Sequence, residues 1–335
     1  MSPISYSIPI GIDPILFSLG TFVLTWHGFF TFVAVALGII LIARSARREG
    51  ISPEIIYSIS IWAIIGGIVG ARVIHVIDRW DFYGHNLSSI FTIWTGGIAI
   101  FGAILGGFAA GYIYCLIANR LEESRWTKTA TQLGIKYESI QQDGYLLVRP
   151  SEHIEEDALH DLEKQAGIRF KQTVAGVDYF RLRNYPAARI ADLATPSVLV
   201  SMTIGRLGDI INGEHFAMTT SMPWGLVYTH PKTQVLYSSA NISSLSPTHP
   251  AIAYEMLLNL AVLSVVWLMR GRLKPDGMTF ALYLASYSLG RFFISFLRLD
   301  KEWLLGMNQA QLISIIVLAI TVPLLVYRAH FIKKP

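Results

Sequence analysis

The sequence predicts an all-α polytopic membrane protein with about seven transmembrane helices and a small α+β insertion. Hydrophobic residues make up 53% of the 335-residue chain. Charged residues make up 15%, well below the roughly 25% typical of soluble domains. The apolar residues are gathered in runs of about 20, the length that crosses the hydrocarbon of a bilayer. A soluble domain of this size can bury a large core without such runs, so the chain is assigned to the membrane.

Seven apolar runs are predicted to span the membrane in chain order. No Lys or Arg precedes the first run, which therefore lacks the basic start of a cleavable signal peptide and is expected to be retained. The runs are Ser18–Ala43, Ile55–Ile77, Ile90–Ala118, Ile190–Ile211, Ala251–Met269, Met278–Leu297 and Met307–Tyr327.

The distribution of basic residues predicts the direction in which these spans cross. Lys and Arg are concentrated in the connections after the first, fifth and seventh spans, and they are sparse in the short connections on the other side. Cytoplasmic connections carry an excess of Lys and Arg. The N-terminus is therefore expected outside the cell and the C-terminus in the cytoplasm.

Residues 119–189 are polar and are predicted to form an inserted cytoplasmic α+β module. They separate residues 1–118, with the first three spans, from residues 190–335, with the last four spans and an outer loop at 212–250. The sequence favours a strand at Tyr145–Val148 and a helix at Glu155–Ala166, followed by a hairpin. Its two arms are Ile168–Val174 and Val177–Leu182. A module of about 70 residues has a marginal core, so it is expected to lean on the membrane part or on a partner.

Arginine interrupts three of the predicted spans, at Arg72, Arg206 and Arg291. An arginine at bilayer depth costs at least about 2.5 kcal/mol, so it normally faces a cavity, a partner or a substrate. Two alternatives stay open. Arg72 lies near the outer end of its span, where its long side chain is able to reach the interface. Asp209 follows Arg206 by three residues, close enough on a helix to neutralise its charge.

The sixth span carries a polar stripe along one helix face. Its members recur at steps of four, four, four and three residues: Tyr283, Tyr287, Arg291, Ser295 and Arg298. This pattern favours a cavity lined by water or lipid head groups. The alternative is a pair of helices joined by hydrogen bonds, which needs fewer polar residues.

Other candidate features favour packing over chemistry. Cys115 is the one cysteine of the chain, so it has no internal disulfide partner, and its apolar surroundings favour a buried hydrophobic role. The histidines of the outer loop show no metal-ligand spacing. No metal, cofactor or nucleic-acid partner is expected. Two ladders of small residues on the third span predict close helix contact, namely Gly102, Gly106, Ala110 and Ala103, Gly107, Gly111.

The block from Gly205 to Glu214 reads Gly-Arg-Leu-Gly-Asp-Ile-Ile-Asn-Gly-Glu. It strongly resembles the signature of the prolipoprotein diacylglyceryl transferases, bacterial inner-membrane enzymes of lipoprotein maturation. The resemblance covers most of the chain outside residues 119–189. It extends to Ile12-Asp13-Pro14, Trp26-His27-Gly28, Gly70-Ala71-Arg72, Trp94-Thr95-Gly96-Gly97, His249-Pro250 with Tyr254-Glu255, and Gly290-Arg291-Phe292 through Arg298.

The resemblance implies a multi-pass protein of the bacterial inner membrane that transfers the diacylglyceryl group of phosphatidylglycerol to the thiol of a lipobox cysteine in a preprolipoprotein. Glycerol phosphate is released. Phosphatidylglycerol, the preprolipoprotein lipobox peptide and membrane lipid are the expected partners. The expected catalytic residues are Arg206, Arg291 and Glu214. The expected substrate-binding residues are His27, Arg72, Asp209, Asn212, Gly213, His249, Tyr254, Tyr287 and Arg298.

The chain departs from the family pattern at several polar positions. Phe101 stands where the family usually has a histidine, Asp209 where it has Asn, Ser295 where it has Glu, and His27 where it has Tyr. An alternative is therefore a catalytically impaired paralogue that binds phospholipid or prolipoprotein without turnover. His27 offers an imidazole on another helix. A transporter is disfavoured, since its repeated broken helices have no counterpart here.

Overall fold

The computed structural model describes residues 7–20, 22–92, 100–142, 145–151, 170–174, 177–182, 185–213, 217–236 and 245–332. Within these ranges the chain forms seven long helices: α1 (Trp26–Arg48), α2 (Pro53–Asp78), α3 (Ile100–Gln132), α4 (Ala187–Asn212), α5 (Ala251–Met269), α6 (Met278–Ile294) and α7 (Gln309–Arg328). Shorter helical turns lie at Trp80–Tyr83, Leu87–Phe91, Pro231–Leu236 and Ser295–Leu297.

The strands are short and follow the order β1 (Ser7–Ile10), β2 (Ile15–Leu19), β3 (Phe22–Thr25), β4 (Tyr137–Gln142), β5 (Tyr145–Pro150), β6 (Phe170–Val174), β7 (Val177–Arg181), β8 (Gly225–Tyr228), β9 (Leu273–Lys274), β10 (Glu302–Leu304), β11 (Met307–Asn308) and β12 (His330–Phe331). β1 pairs in parallel with β8, and β2 pairs antiparallel with β3. The largest sheet has four antiparallel strands in the order β4-β5-β7-β6.

Six helices of the described chain are long and apolar enough to cross a membrane: α1, α2, α3, α5, α6 with the turn that follows it, and α7. The protein is therefore a mostly helical, polytopic membrane protein. The fourth predicted span is also a helix, but it is not one of the six. Pro196, Arg206 and Asp209 interrupt its apolar character.

The bounds of two predicted spans are wrong, at the start of the first and at both ends of the third, whose predicted start Ile90 lies in the Leu87–Phe91 turn. The first predicted span begins at Ser18, but β2 and β3 form an antiparallel hairpin there and α1 begins only at Trp26. Gly20, with a φ of +60°, lies at the turn of this hairpin. The third predicted span ends at Ala118, whereas α3 begins at Ile100 and continues to Gln132. The first residues assigned to the insertion therefore continue a membrane helix.

The chain divides into two compact units, one of which comprises residues 1–42 and 191–335. Its apolar core gathers Leu199 of α4, Val262 and Val266 of α5, and Tyr283 of α6. The buried Asp192 of α4 accepts hydrogen bonds at 2.8 Å from the backbone N–H groups of Gly277 and Phe280. These donors open α6, so a carboxylate on α4 caps α6 and fixes where it begins.

The second unit comprises residues 43–190. In this unit α2 and α3 pack closely, as the small-residue ladders predict, and a Cβ added at Gly106 would lie 2.2 Å from the carbonyl oxygen of Gly66. Toward the end of α3, Trp126 packs with Val148 and Leu182 in a small core. The predicted strand at Tyr145–Val148 and the two arms of the hairpin are confirmed as β5, β6 and β7. The helix predicted at Glu155–Ala166 lies outside the described residues.

Candidate functional site

Glu255 of α5 is the centre of a buried group of charges in the first unit. Its side chain is fully buried. Oε1 lies 2.5 Å from Nη1 of Arg291 on α6 and 3.4 Å from Nη1 of Arg298, while Oε2 lies 2.5 Å from Nη2 of Arg206 on α4. One carboxylate thus holds three guanidinium groups from separate elements. We refer to Glu255, Arg206, Arg291 and Arg298 as the arginine cluster.

Asp209 links the arginine cluster to the start of α1. Its Oδ2 accepts a hydrogen bond of 2.7 Å from Nη1 of Arg206, so the predicted ion pair within α4 is confirmed. Its Oδ1 lies 2.5 Å from Nδ1 of His27. The carboxylate is buried, whereas 43% of the His27 side chain is exposed. A continuous chain of polar contacts therefore runs from an accessible imidazole, through two carboxylates, to Arg291.

The polar stripe of the sixth span lies against this cluster. Tyr287 hydrogen-bonds with Arg206, and Arg291 and Arg298 bind Glu255. Ser295 is buried and donates to the carbonyl of Arg291 at 2.8 Å, and the Tyr283 hydroxyl donates to the sulfur of Met202 at 3.3 Å. The stripe thus makes polar contacts with α4 and α5. Glu255 nevertheless brings guanidinium groups from α4 and α6 together, because Arg206 and Arg291 both pair with it.

Arg298 also marks the outer edge of the arginine cluster. Its Nε and Nη2 donate to the two carboxylate oxygens of Asp300 at 2.7 and 3.0 Å. This is the forked, two-bond geometry that guanidinium groups form with carboxylates and phosphates. The Arg298 side chain is 5% exposed and that of Asp300 is 35% exposed. The ion pair of Arg298 with Asp300 therefore connects the arginine cluster to the protein surface.

His249 and Tyr254 lie together next to α5. Trp224 donates from its indole N–H to the Tyr254 hydroxyl at 2.8 Å, and the His249 and Tyr254 rings are 6.2 Å apart. Their spacing of five residues brings them together because His249 precedes α5 and Tyr254 lies in its first turn. Tyr254 is followed directly by Glu255, so this aromatic pair borders the arginine cluster in sequence.

Asn212 and Gly213 end α4. Asn212 is fully buried. Gly213 has a φ of +74°, and a Cβ there would lie 2.9 Å from Cε1 of Tyr228. The positive φ and the adjacent Tyr228 ring therefore both require glycine at this position. Burial, followed by the negative charge of Asp209, raises the pKa of the Tyr228 phenol.

Arg72 belongs to the second unit, and its buried guanidinium holds backbone carbonyls. Nε donates to the carbonyl of Ile90 at 2.8 Å and Nη2 to that of Ser89 at 2.5 Å. The ring of Tyr83 lies 5.2 Å away, within cation–π range. Only 6% of Arg72 is exposed, so its guanidinium is enclosed by carbonyl groups and the Tyr83 ring of the same unit. Substrate binding by Arg72 remains a prediction.

Two residues of the sequence interpretation fall outside this account. Glu214, an expected catalytic residue, lies outside the described residues, as does the side chain of Phe101.

Sequence reasoning also missed the role of Glu255. The available signal was simple, because Glu255 is the one charged residue in the 19 residues of α5. A carboxylate in an apolar helix is rare unless it pairs with a cation.

The helices and the arginine cluster together define a polytopic membrane protein with a buried, arginine-rich polar centre. The chain belongs to the prolipoprotein diacylglyceryl transferase family, whose model matches residues 14–132 and 168–327. The resemblance seen in the sequence is thereby confirmed. Residues 133–167, inside the predicted insertion, are the internal segment that the family model leaves unmatched.

The chain is similar to curated proteins along most of its length. A phosphatidylglycerol–prolipoprotein diacylglyceryl transferase of Dehalococcoides mccartyi is 29% identical over 330 residues, which span 97% of both chains. Those of Thermosynechococcus vestitus and Acaryochloris marina are 31% and 27% identical, and the alignments span 90% and 94% of this chain and 87% and 90% of the relatives.

Proposed function

We propose that this protein transfers the diacylglyceryl group of phosphatidylglycerol to the lipobox cysteine thiol of preprolipoproteins. Membership of the family and the names of the relatives support this function. The observation that carries it in this chain is the convergence of Arg206, Arg291 and Arg298 on Glu255 in a helical membrane protein. The side chains of Arg206 and Arg291 stay 22% and 14% exposed, so their guanidinium groups are suited to the phosphate of a lipid head group.

The chemistry of the arginines suits the departure of a phosphate. In the reaction the thiolate sulfur forms a bond to the glyceryl carbon, the bond between that carbon and the phosphate oxygen breaks, and glycerol phosphate leaves with the electron pair. Negative charge therefore grows on the phosphate. Each guanidinium has five N–H donors and stays charged, so Arg206 and Arg291 are able to hold a carboxylate oxygen and a phosphate oxygen together. Such donors stabilise the developing charge.

We assign the remaining roles by position. Arg206, Arg291 and Glu214 are proposed as catalytic residues. The proposed substrate-binding residues are His27, Arg72, Asp209, Asn212, Gly213, His249, Tyr254, Tyr287 and Arg298. The substrates are phosphatidylglycerol within the membrane and the lipobox peptide of the preprolipoprotein. The protein is placed in the bacterial inner membrane, with seven crossings, the N-terminus outside and the insertion in the cytoplasm.

The test is a transfer assay with phosphatidylglycerol and a lipobox peptide, in which thioether product and released glycerol phosphate are both measured. We expect Arg291→Ala to lower the rate by about 10²–10³, the usual cost of removing a transition-state donor. Arg291→Lys is expected to recover only part of the rate, since lysine keeps the charge but loses the fork. Arg125→Ala is the control, because Arg125 is exposed on α3.

Two results would contradict the proposal. No thioether from the unaltered protein would exclude transfer, and lipid binding without glycerol phosphate release would support the impaired paralogue. Equal rates for Arg291→Ala and Arg125→Ala would exclude the proposed role of the arginine cluster.

A further inference from the structure

We propose that His27 is the group that accepts the proton of the lipobox thiol, and that Asp209 positions it for this step. The inference rests on the proposed transfer function. The base belongs to α1 and the residue that orients it belongs to α4, and both residues lie in the first unit. Four features of the structure support it, namely the rigid contact between these helices, the tautomer that Asp209 imposes, the accessibility of the imidazole, and its connection to the arginine cluster.

The start of α1 lies against α4 in backbone contact. A Cβ added at Gly208 would lie 2.6 Å from the Cα of His27 and 2.7 Å from the carbonyl oxygen of Trp26. Trp26 is held in turn by the Asp13 carbonyl, which accepts from its indole N–H at 3.1 Å. The main chain of His27 is therefore fixed against Gly208, the residue that precedes Asp209. This brings the two side chains together, and Nδ1 of His27 lies 2.5 Å from Oδ1 of Asp209.

Asp209 determines which imidazole nitrogen carries the hydrogen. The carboxylate pairs with Arg206 through Oδ2, and an ionised carboxylate only accepts hydrogen bonds. Nδ1 of His27 must therefore be the donor to Oδ1. In the neutral imidazole the lone pair then lies on Nε2, at the opposite edge of the ring. This is the arrangement in which a buried carboxylate orients a histidine that acts as a general base.

Exposure separates the two members of the pair. Only 4% of the Asp209 side chain is accessible, against 43% of His27. Asp209 is thus enclosed by the protein, while a large part of the His27 ring is left uncovered by the rest of the chain. A histidine that served packing alone would be buried like Asp209.

The proton acceptor and the phosphate-binding arginines share one chain of contacts. Arg206 binds Asp209 through Nη1 and Glu255 through Nη2, and Glu255 continues to Arg291. Among the charged and titratable groups of the described residues, Arg206 from α4 pairs with Asp209, and the phenol of Tyr228 from β8 lies close enough for the Asp209 charge to raise its pKa. When His27 gains a proton, Asp209 acts as the counter-charge for the imidazolium.

The proposed step balances as follows. Nε2 of His27 takes the proton from the thiol, and the resulting thiolate forms the carbon–sulfur bond as the carbon–oxygen bond to phosphate breaks. The electron pair stays on the phosphate oxygen of glycerol phosphate. The imidazolium then gives its proton to that oxygen or to water, which restores the neutral histidine. No oxidant, metal or further reactant is required.

The first test compares His27→Asn with the unaltered protein. The amide N–H of Asn is able to replace the donor to Asp209, but Asn has no basic nitrogen. We expect thioether formation to slow by about 10²–10⁴, the usual contribution of general base catalysis. The matched control is His330→Asn, because His330 is exposed on β12 in the same unit. Unfolding temperature in detergent is measured for both variants, so a loss of folding is recognised.

A second measurement separates a base from a structural residue. A lipobox peptide that carries selenocysteine in place of cysteine presents a selenol, which is already ionised at neutral pH and needs no base. We expect His27→Asn to react with the selenocysteine peptide at nearly the rate of the unaltered protein. The rate of the variant with the cysteine peptide should rise with pH, because solvent then removes the thiol proton, and it should approach the rate of the unaltered protein.

The outcomes are distinct. If the unaltered protein forms no thioether, the proposed function fails. If it does so and His27→Asn keeps the full rate with the cysteine peptide, the assignment of His27 is overturned while the function stands. If His27→Asn is slow with both peptides although it remains folded, His27 serves binding or packing and is not the base.

Discussion

At the scale of single residues, Glu255 determines how three arginines coexist in the interior of the first unit. Burying one unpaired guanidinium costs several kcal/mol, and like charges at short range add to that cost. Glu255 faces Arg206 and Arg291 at 2.5 Å each and Arg298 at 3.4 Å. A single carboxylate therefore compensates charges that would otherwise repel one another. A phosphate that enters this region has to share the guanidinium N–H groups with it.

We predict that Glu255→Gln lowers the free energy of unfolding by about 3–5 kcal/mol, because its removal leaves buried charge without compensation. The measurement is thermal or denaturant unfolding in detergent. Glu302→Gln, at an exposed position of β10, is the control and should change stability by less than about 0.5 kcal/mol.

The same variant also tests whether the cluster binds an anionic head group. Phosphatidylglycerol should restore part of the stability lost in Glu255→Gln, because its phosphate replaces the missing negative charge. A zwitterionic lipid of equal chain length should restore less. If Glu255→Gln is as stable as Glu302→Gln, the cluster is solvated and the counter-charge argument fails.

At the scale of elements, the contact between α2 and α3 depends on glycine. A Cβ at Gly106 would lie 2.2 Å from the carbonyl oxygen of Gly66 and 2.9 Å from the Cα of Gly70, and both are backbone atoms that have little freedom to move. For a Cβ added at Gly111, five residues further along α3, the nearest atom would be Cγ2 of Ile59 at 3.4 Å. The two glycines on one helix thus differ sharply in the space around them. Without a hydrophobic force between helices in lipid, such close packing is a main source of association.

We therefore predict that Gly106→Ala forces α2 and α3 apart, with a loss of about 1–3 kcal/mol, the usual cost of overpacking. Gly111→Ala places its methyl group in ordinary van der Waals contact and should be tolerated. Unfolding in detergent and resistance to proteolysis are the measurements. Equal behaviour of the two variants would show that the helices do not depend on backbone contact at Gly106.

The accuracy of the sequence predictions varies between elements for physical reasons. The fifth predicted span coincides with α5, and the sixth coincides with α6 and the turn after it. Apolar length is decisive there, because polar loops border both runs. The first predicted span begins too early because the length of an apolar run does not distinguish a hairpin from a helix. The residues of β2 and β3 are mostly apolar, like those of a membrane helix.

The site was predictable only in part. Arg206, Asp209 and Arg291 are conspicuous because charge in an apolar run is expensive. The contact between His27 and Asp209 joins residues 182 positions apart, and the meeting of three arginines at Glu255 depends on the packing of α4, α5 and α6. Helical periodicity places a residue on a face, but it does not identify the helix that this face contacts.

At the scale of the whole molecule, crossing direction decides which compartment each connection meets. The predicted direction places the start of α1, and with it His27, at the outer side of the membrane, while the insertion is proposed to lie in the cytoplasm. These two placements follow from the same distribution of Lys and Arg. A measurement that reports on both sides at once therefore tests the predicted topology.

Cys115 makes this measurement straightforward, since it is the one cysteine and only 3% of it is exposed. In a Cys115→Ala background we predict that Ser88→Cys, at an exposed position of the Leu87–Phe91 turn, reacts with a membrane-impermeant maleimide added to intact spheroplasts. Ser124→Cys, equally exposed on the extended end of α3, should react only after the membrane is permeabilised. Both changes replace serine by cysteine, so differences in labelling report location. The opposite pattern would invert the topology, and labelling of both sites from outside would remove the insertion from the cytoplasm.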